Sequence, residues 1–283
     1  MKIGLVLEGG ASRTVFSCGV MDVLLENNII TDYVIGTSAG IAYGTSYASG
    51  QIGRNRTVAV DYMDDKRYMG MKHLLNPKNR SYYNLDFVFG DIPNKEVLFD
   101  FEAFSKFKGE VIATVTNLET GKVEYMPVTA NDTAFTIIRA SCALPIMFKP
   151  IKIGKTKYLD GGICDPIPYK KALEDGCDKI IVILTREEGY RKGKGKSEKL
   201  VSLAYHKYPE FIDSLHKRPQ VYNDSVDALY KLQKDGKALI IRPEKIQGVS
   251  RTESNPEILD RLYLQGKKIG NKRLGEILEF VGK

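Results

Sequence analysis

Residues 33 to 44 read Tyr33-Val34-Ile35-Gly36-Thr37-Ser38-Ala39-Gly40-Ile41-Ala42-Tyr43-Gly44: an apolar strand-like run, a GxSxG pentapeptide, then a small-residue run suited to a helix. A serine on such a tight strand-to-helix turn is forced into a strained backbone conformation. Glycines two residues either side remove the side chains that would collide. The hydroxyl then projects at the N-terminus of the helix. Ser38 is therefore the candidate nucleophile, with Gly36 and Gly40 shaping its elbow.

A second glycine-rich turn lies upstream. Ile3-Gly4-Leu5-Val6-Leu7 reads as a buried strand, and Glu8-Gly9-Gly10-Ala11-Ser12-Arg13 leads into an apolar helix ending near Glu26. Unpaired backbone N–H groups at such a turn suit an anion or a developing oxyanion. A dinucleotide loop is the rival, but Gly9, Gly10 and Gly19 do not make the GxGxxG spacing it needs.

The third element is Lys157-Tyr158-Leu159-Asp160-Gly161-Gly162, a short apolar run ending in an acid and two glycines. On its own it reads as a turn. Beside a candidate nucleophile it supplies a base, since an aspartate at a strand end can take the serine proton directly if the fold sets it within reach. Asp165, the nearest competing acid, precedes Pro166 and reads as a helix cap.

Apolar β-branched runs recur at residues 2–7, 33–35, 111–116, 180–184 and 238–241, separated by helix-like patterns. Such alternation predicts an α/β fold, a mostly parallel sheet covered on both faces. The clearest later helices are expected over Ala130 to Ile138, Pro168 to Glu174, Leu203 to Leu232 in pieces, and Pro256 to Phe280. Ligands of these sheets collect at the C-terminal strand ends, and Gly9-Gly10, Ser38 and Asp160 all follow predicted strands. Between Asp61 and Phe107 the pattern loosens into Tyr68-Met69-Gly70-Met71, Leu74-Leu75, Tyr82-Tyr83 and Phe87-Val88-Phe89, broken by Pro77, Asn79 and Gly90. That segment reads either as ordinary packing of a long crossover or as an acyl-chain pocket or lid, different residues serving each.

With 283 residues, 43% hydrophobic and 27% charged, the chain has enough apolar surface for one full core. The expected division is a catalytic core over 1–186, a basic loop over 187–199 and a C-terminal extension over 200–283. No stretch approaches the ~20 apolar residues needed to cross a bilayer, and the N-terminus lacks a secretory apolar region, so a cytoplasmic location is expected. Cys18, Cys142, Cys164 and Cys177 have no metal-site spacing. Free thiols, no structural metal and no cofactor are expected. The formal charge of +7 favours anionic neighbours. Arg191, Lys192, Lys194 and Lys196, interleaved with Gly189, Gly193 and Gly195, read as a mobile basic loop, a solvated linker or a peripheral contact for anionic membrane headgroups. No motif for nucleic acid accompanies the charge, and the sequence is silent on oligomeric state.

The loop with Arg13, the elbow around Ser38 and Asp160-Gly161-Gly162, in that order, resemble the patatin-like phospholipases, and the chain looks like a bacterial member. The likeness extends to Ala140-Ser141-Cys142-Ala143-Leu144-Pro145 with Phe148-Lys149-Pro150. It continues through Tyr222-Asn223, Ile240-Ile241-Arg242-Pro243, Val249-Ser250-Arg251 and Leu262-Tyr263, which are similar to the C-terminal part of one bacterial subgroup. The resemblance implies a three-layer α/β/α patatin-like fold. It also implies a lipid acyl-ester hydrolase with a Ser38–Asp160 dyad, no catalytic histidine, and an oxyanion loop of Gly9, Gly10, Ala11 and Arg13.

The family loop usually reads GGGxRG or GGGxKG. Here Ala11 and Thr14 stand where glycines are usual, so strain or a tilted donor is expected at the loop. Two other readings compete with the dyad enzyme. One is an α/β-hydrolase triad using His206 or His216. It is disfavoured because Ser38 follows only the second strand and both histidines sit in a polar helix, while His73 precedes the acid. The other is a lipid-binding or regulatory protein of the same fold with blunted catalysis.

Overall fold

The computed structural model describes residues 1–75, 81–195, 197–246 and 248–283; Pro77, Asn79 and Lys196 lie outside the described residues. Eight strands form one sheet: β1 (Ile3–Leu7), β2 (Tyr33–Thr37), β3 (Glu110–Asn117), β4 (Val123–Pro127), β5 (Ile151–Ile153), β6 (Thr156–Asp160), β7 (Lys179–Ile183) and β8 (Ala238–Ile241). Their order is β5-β6-β3-β2-β1-β7-β8, with β4 also paired to β3. The β3-β2-β1-β7-β8 part is parallel throughout, and β4, β5 and β6 join antiparallel.

Period-two alternation along the central strands builds two separate cores. Leu5, Leu7, Val34, Ala113, Ile181 and Ile183 face one side, where they pack with α1 (Val15–Glu26) and α2 (Ala39–Ala48). Val6, Ile35, Ile112, Ile180 and Val182 face the other. The later helices that frame the sheet are α3 (Thr136–Ser141), α4 (Tyr169–Glu174), α5 (Glu198–Ala204), α6 (Pro209–Lys234), α7 (Pro256–Lys272) and α8 (Leu274–Val281). Tyr169 and Ala172 of α4, with Tyr222, Val226 and Leu229 of α6, cover the second face. Leu259, Leu262, Tyr263 and Ile269 of α7 join α1 on the first. The architecture is thus three layers, helices on both faces of a mostly parallel sheet.

The α1–α7 crossing is close because glycines meet there: a Cβ on Gly266 would overlap the Phe16 carbonyl, and one on Gly19 the Tyr263 carbonyl. Buried at this crossing, the Tyr263 hydroxyl donates to Asp22 Oδ2 at 2.6 Å. The C-terminal helices are therefore part of the same packed body as the first helix.

Three expectations need correction. The helix foreseen from Ala130 begins only at Thr136, because Asp132 Oδ1 and Oδ2 accept the N–H groups of Thr136 and Ile137 and Phe135 takes a left-handed φ of 52°. Pro256 to Phe280 is two helices, broken at Arg273. Asp165 does not cap a helix: its Oδ2 accepts from the Tyr125 hydroxyl at 2.8 Å, while α4 starts after Pro168 with no side-chain cap. The middle segment packs as a crossover and also contributes walls to a cavity. Tyr68, Leu85, Phe87 and Ile92 are buried in the core clusters, and several of its residues line a cavity described below.

Candidate active site

Two strands bring the candidate dyad together. β4 faces Ile112 to Thr116 of β3, β2 faces Glu110 to Thr114, and β6 faces Val115 to Asn117. Since β4 overlaps both, β2 and β6 must share the opposite edge of β3. One runs parallel to β3 and the other antiparallel, so their C-terminal ends point at each other and deliver Ser38 and Asp160 to one place.

Ser38 sits between β2 and α2 with φ 55° and ψ −132°, a conformation that L-residues rarely adopt. Gly40 permits it, since a Cβ there would lie 2.7 Å from the Leu7 carbonyl oxygen. The Ser38 N–H donates to Ser141 Oγ at 2.9 Å, which ties the elbow to α3. Thr37 Oγ1 shares a 2.6 Å hydrogen bond with Thr114 Oγ1 and donates to the Asp165 carbonyl at 2.8 Å.

Asp160 is 2% exposed. Its Oδ1 accepts the Gly162 N–H at 2.8 Å, and its Oδ2 is buried without a hydrogen bond of normal geometry. Burial pushes the carboxyl above the usual carboxylate range; the Ser38 hydroxyl, Arg218, the Gly162 N–H and Arg251 oppose that shift without cancelling it. A raised aspartate with one free oxygen beside a serine hydroxyl is the arrangement a general base requires.

The loop after β1 lies against the same spot. The Gly9 N–H points to the Pro166 carbonyl at 3.4 Å, which leaves Gly10 and Ala11 as the loop's free donors: neither N–H makes a hydrogen bond among the described residues. Ala11 has φ 50°, so the strain expected from a side chain here is present. Thr14 differs, with an ordinary helical φ of −66°; its cost is instead a buried Oγ1 without a partner. Ser12 fastens the loop to the C-terminal segment, its hydroxyl contacting the carbonyls of Arg251 and Glu253 at 2.9 Å each.

Two cavities meet at Ser38, Ala11 and Leu144. One, about 110 Å³, is mainly apolar and runs between α2 and the middle segment past Ala42, Tyr43, Val58, Met63, Val88 and Ile92. The other, about 80 Å³, is polar and holds Asp160, Glu8, Arg13, Lys192, Arg218 and Arg251 among its walls. None of the three histidines lines either cavity. The His206 ring contacts the Leu203 carbonyl, His216 lies 3.6 Å from Glu198, and His73 contacts the Lys66 carbonyl.

Sequence reasoning missed Ser141, Arg218, Lys192 and Glu8. Arg218 reaches back from α6 to donate through Nε to the Gly162 carbonyl, and burial plus the Arg251 cation pull its guanidinium down to about 10. Glu8 is buried, and its Oε2 accepts the Thr185 N–H at 2.6 Å. The start of the basic stretch is anchored: Arg191 pairs with Asp227 at 2.6 Å, and the Lys192 backbone exchanges two hydrogen bonds with the Asn223 side chain. All four cysteines are free. Among the described residues no helix is long and apolar enough to cross a membrane.

Comparison with known proteins places this geometry in a family. The chain is 28% identical to an uncharacterized protein, YjjU, of Escherichia coli, over 65% of this chain and 52% of that one. It is 25% identical to the lysophospholipase NTE1 of Coccidioides immitis over 98% of this chain and 18% of that protein. With the lysophospholipase nte1 of Aspergillus terreus it shares 28% identity over 64% of this chain and 12% of the relative. The chain thus spans about half, or much less, of the length of these relatives. Among solved structures, VipD from Legionella pneumophila aligns over 97% of this chain and 67% of its own at 15% identity and TM-score 0.49, a likeness too distant to inform the chemistry. Residues 208–282 match a domain of unknown function, DUF6363. Residues 5–173, which carry the loop, the elbow and Asp160, match the patatin-like phospholipase family, and the chain belongs to that family.

Proposed function

We propose that the chain hydrolyses acyl esters of lipids through a Ser38–Asp160 dyad. The observation that carries this reading is the buried Asp160 carboxylate, which the Ser38 hydroxyl approaches and whose Oδ2 has no other partner, where an apolar cavity begins. Asp160 accepts the serine proton as Ser38 Oγ attacks the ester carbonyl. The tetrahedral oxyanion is held by the N–H groups of Gly10 and Ala11, with the Arg13 cation adding to the positive field. Collapse breaks the ester C–O bond, Asp160 returns its proton to the departing alcohol oxygen and so regains its charge, and an acyl-serine is left. A water that gives its proton to Asp160 then releases the fatty acid. The apolar cavity takes the acyl chain, in keeping with the lysophospholipase names of several relatives.

The test is hydrolysis of acyl esters of graded chain length by the native chain and by Ser38→Ala. Acyl release by the native chain and none by the variant supports the proposal; equal release by both contradicts it.

The strained Ala11 favours a second reading, a lipid-binding or regulatory protein with blunted catalysis. Saturable fatty-acid binding with no acyl release from any ester would select it. Exposed Lys194 and Lys199 offer the basic stretch's contact to an anionic membrane surface; co-sedimentation with anionic but not neutral vesicles would establish that contact.

A further inference from the structure

Of the two cavities at Ser38, the apolar one takes the acyl chain, while the polar one, beyond the catalytic Asp160 and the oxyanion loop at its edge, has no assigned occupant. The polar cavity gathers five cationic side chains, Arg13, Arg186, Lys192, Arg218 and Arg251, against two carboxylates, Glu8 and Asp160. Among the described residues none of the five makes an ion pair within 4.0 Å. Glu8 accepts the Thr185 N–H at 2.6 Å and acts on Lys192 through its charge without a close ion pair. The Nε groups of Arg13 and Arg186 are buried with no hydrogen-bond partner.

Such crowding is unfavourable until an anion arrives. Burial and the neighbouring cations pull the Lys192 ammonium down to about 7, and lower the Arg13 guanidinium as well. Several guanidinium forks and an ammonium converging on one small volume match a tetrahedral, multiply charged oxyanion, which accepts hydrogen bonds in several directions.

The same cavity is unsuited to a cationic headgroup. A quaternary ammonium needs open aromatic faces. Here the Arg186 guanidinium lies 3.6 Å from the centre of the Tyr190 ring, and Lys192 Nζ lies 4.5 Å from that of Tyr222. One face of Tyr190, the ring in the cavity wall, and one face of the neighbouring Tyr222 are thus covered by the protein's own cations.

We infer that the polar cavity is a phosphate-binding subsite, and that the ester reaching Ser38 belongs to an acyl lipid ending in a phosphate monoester with no cationic headgroup. Ser38, Ala11 and Leu144 line both cavities, so one amphiphile can lay its chain in the first and its phosphate in the second. The C-terminal extension, through Arg218 and Arg251, then supplies substrate contacts to the core. This assignment rests on the hydrolase reading of Ser38.

The test compares kcat/KM for dodecanoyl-glycerol phosphate, dodecanoyl-glycerol phosphocholine and dodecanoyl-glycerol, all below micelle formation, in the native chain, Lys192→Gln and Arg251→Gln. Both variants keep the backbone hydrogen bonds of their positions, and matching melting temperatures establish that they fold. The expected result is a preference for the phosphate monoester of at least about tenfold over the other two, with the ratio of phosphate to neutral ester falling about tenfold in each variant. Ser38-dependent hydrolysis with no such preference overturns the subsite and leaves the hydrolase standing. If no ester is hydrolysed, the hydrolase reading fails, and calorimetry with glycerol phosphate decides the cavity. Saturable binding lost in Arg251→Gln keeps the subsite, and no binding overturns it. Inorganic phosphate binding as tightly as glycerol phosphate would assign the cavity to a free anion and overturn the headgroup assignment.

Discussion

Thr37 and Asp160 stand opposite consecutive residues of β3, Thr114 and Val115, on the same edge of that strand. The meeting of two strand ends, one parallel and one antiparallel, sets the acid beside the residue that follows Thr37. It does so across more than a hundred residues of chain without using a flexible loop, which is how an active centre gains rigidity.

Asp160 makes the first prediction. Burial raises its carboxyl, so the folded chain holds that proton more readily than the unfolded one. The stability this contributes is present below the unfolded value and lost as pH rises through the folded value. Asp160→Asn therefore abolishes turnover yet melts higher than the native chain at neutral pH, the gap closing in acid. The native pH–rate profile has its acid limb above the ordinary carboxylate value of about 4. Melting curves and rates across pH check all three.

Ala11→Gly relieves a left-handed backbone that costs an alanine roughly 1–2 kcal/mol. A rise in melting temperature of a few degrees is expected, with turnover equal to or above native. A lower melting temperature would mean that the loop draws support from the Ala11 methyl group.

Removing the Ser141 hydroxyl takes away the acceptor of the Ser38 N–H. Leaving a buried donor unpaired costs about 1–3 kcal/mol. Ser141→Ala should thus both melt several degrees lower and react more slowly with a serine-directed probe, because the elbow loses its tether.

The apolar cavity predicts chain-length selection. Each additional buried methylene contributes about 0.8 kcal/mol, near fourfold in kcat/KM, until the cavity is full. Ala42→Phe fills part of it from α2, so the rise should stop at a shorter chain while short esters are still cleaved. A kcat/KM series from four to sixteen carbons, about two carbons per step, reads this directly.

The five parallel strands, the Ser38 turn and the Asp160 strand end were legible because each is a local pattern of a β-branched or apolar run bounded by glycines, whereas the short antiparallel β4 and β5 carry no such run. The cations around the site were not legible either. Arg218 sits in a helix with Lys217 and Lys231, where a basic residue reads as a solvated face. Lys192 lies in a glycine-rich stretch that resembles a linker until Asn223 is seen to hold its backbone. Ser141 is 103 residues from the N–H it accepts. Such partners are set by the packing of α6 and α3 onto the sheet, and no spacing in the sequence encodes them. The false helix start at Ala130 has the reverse cause, a local Asp132 turn that competes with the helix for the same N–H groups.

The central claim is that Ser38 is an activated nucleophile with Asp160 as its base. A fluorophosphonate serine probe, read by intact mass with detergent or lipid present, tests it most directly. The account predicts one adduct on the native chain and none on Ser38→Ala or Asp160→Asn. No adduct on the folded native chain, or an undiminished one on Asp160→Asn, would contradict it.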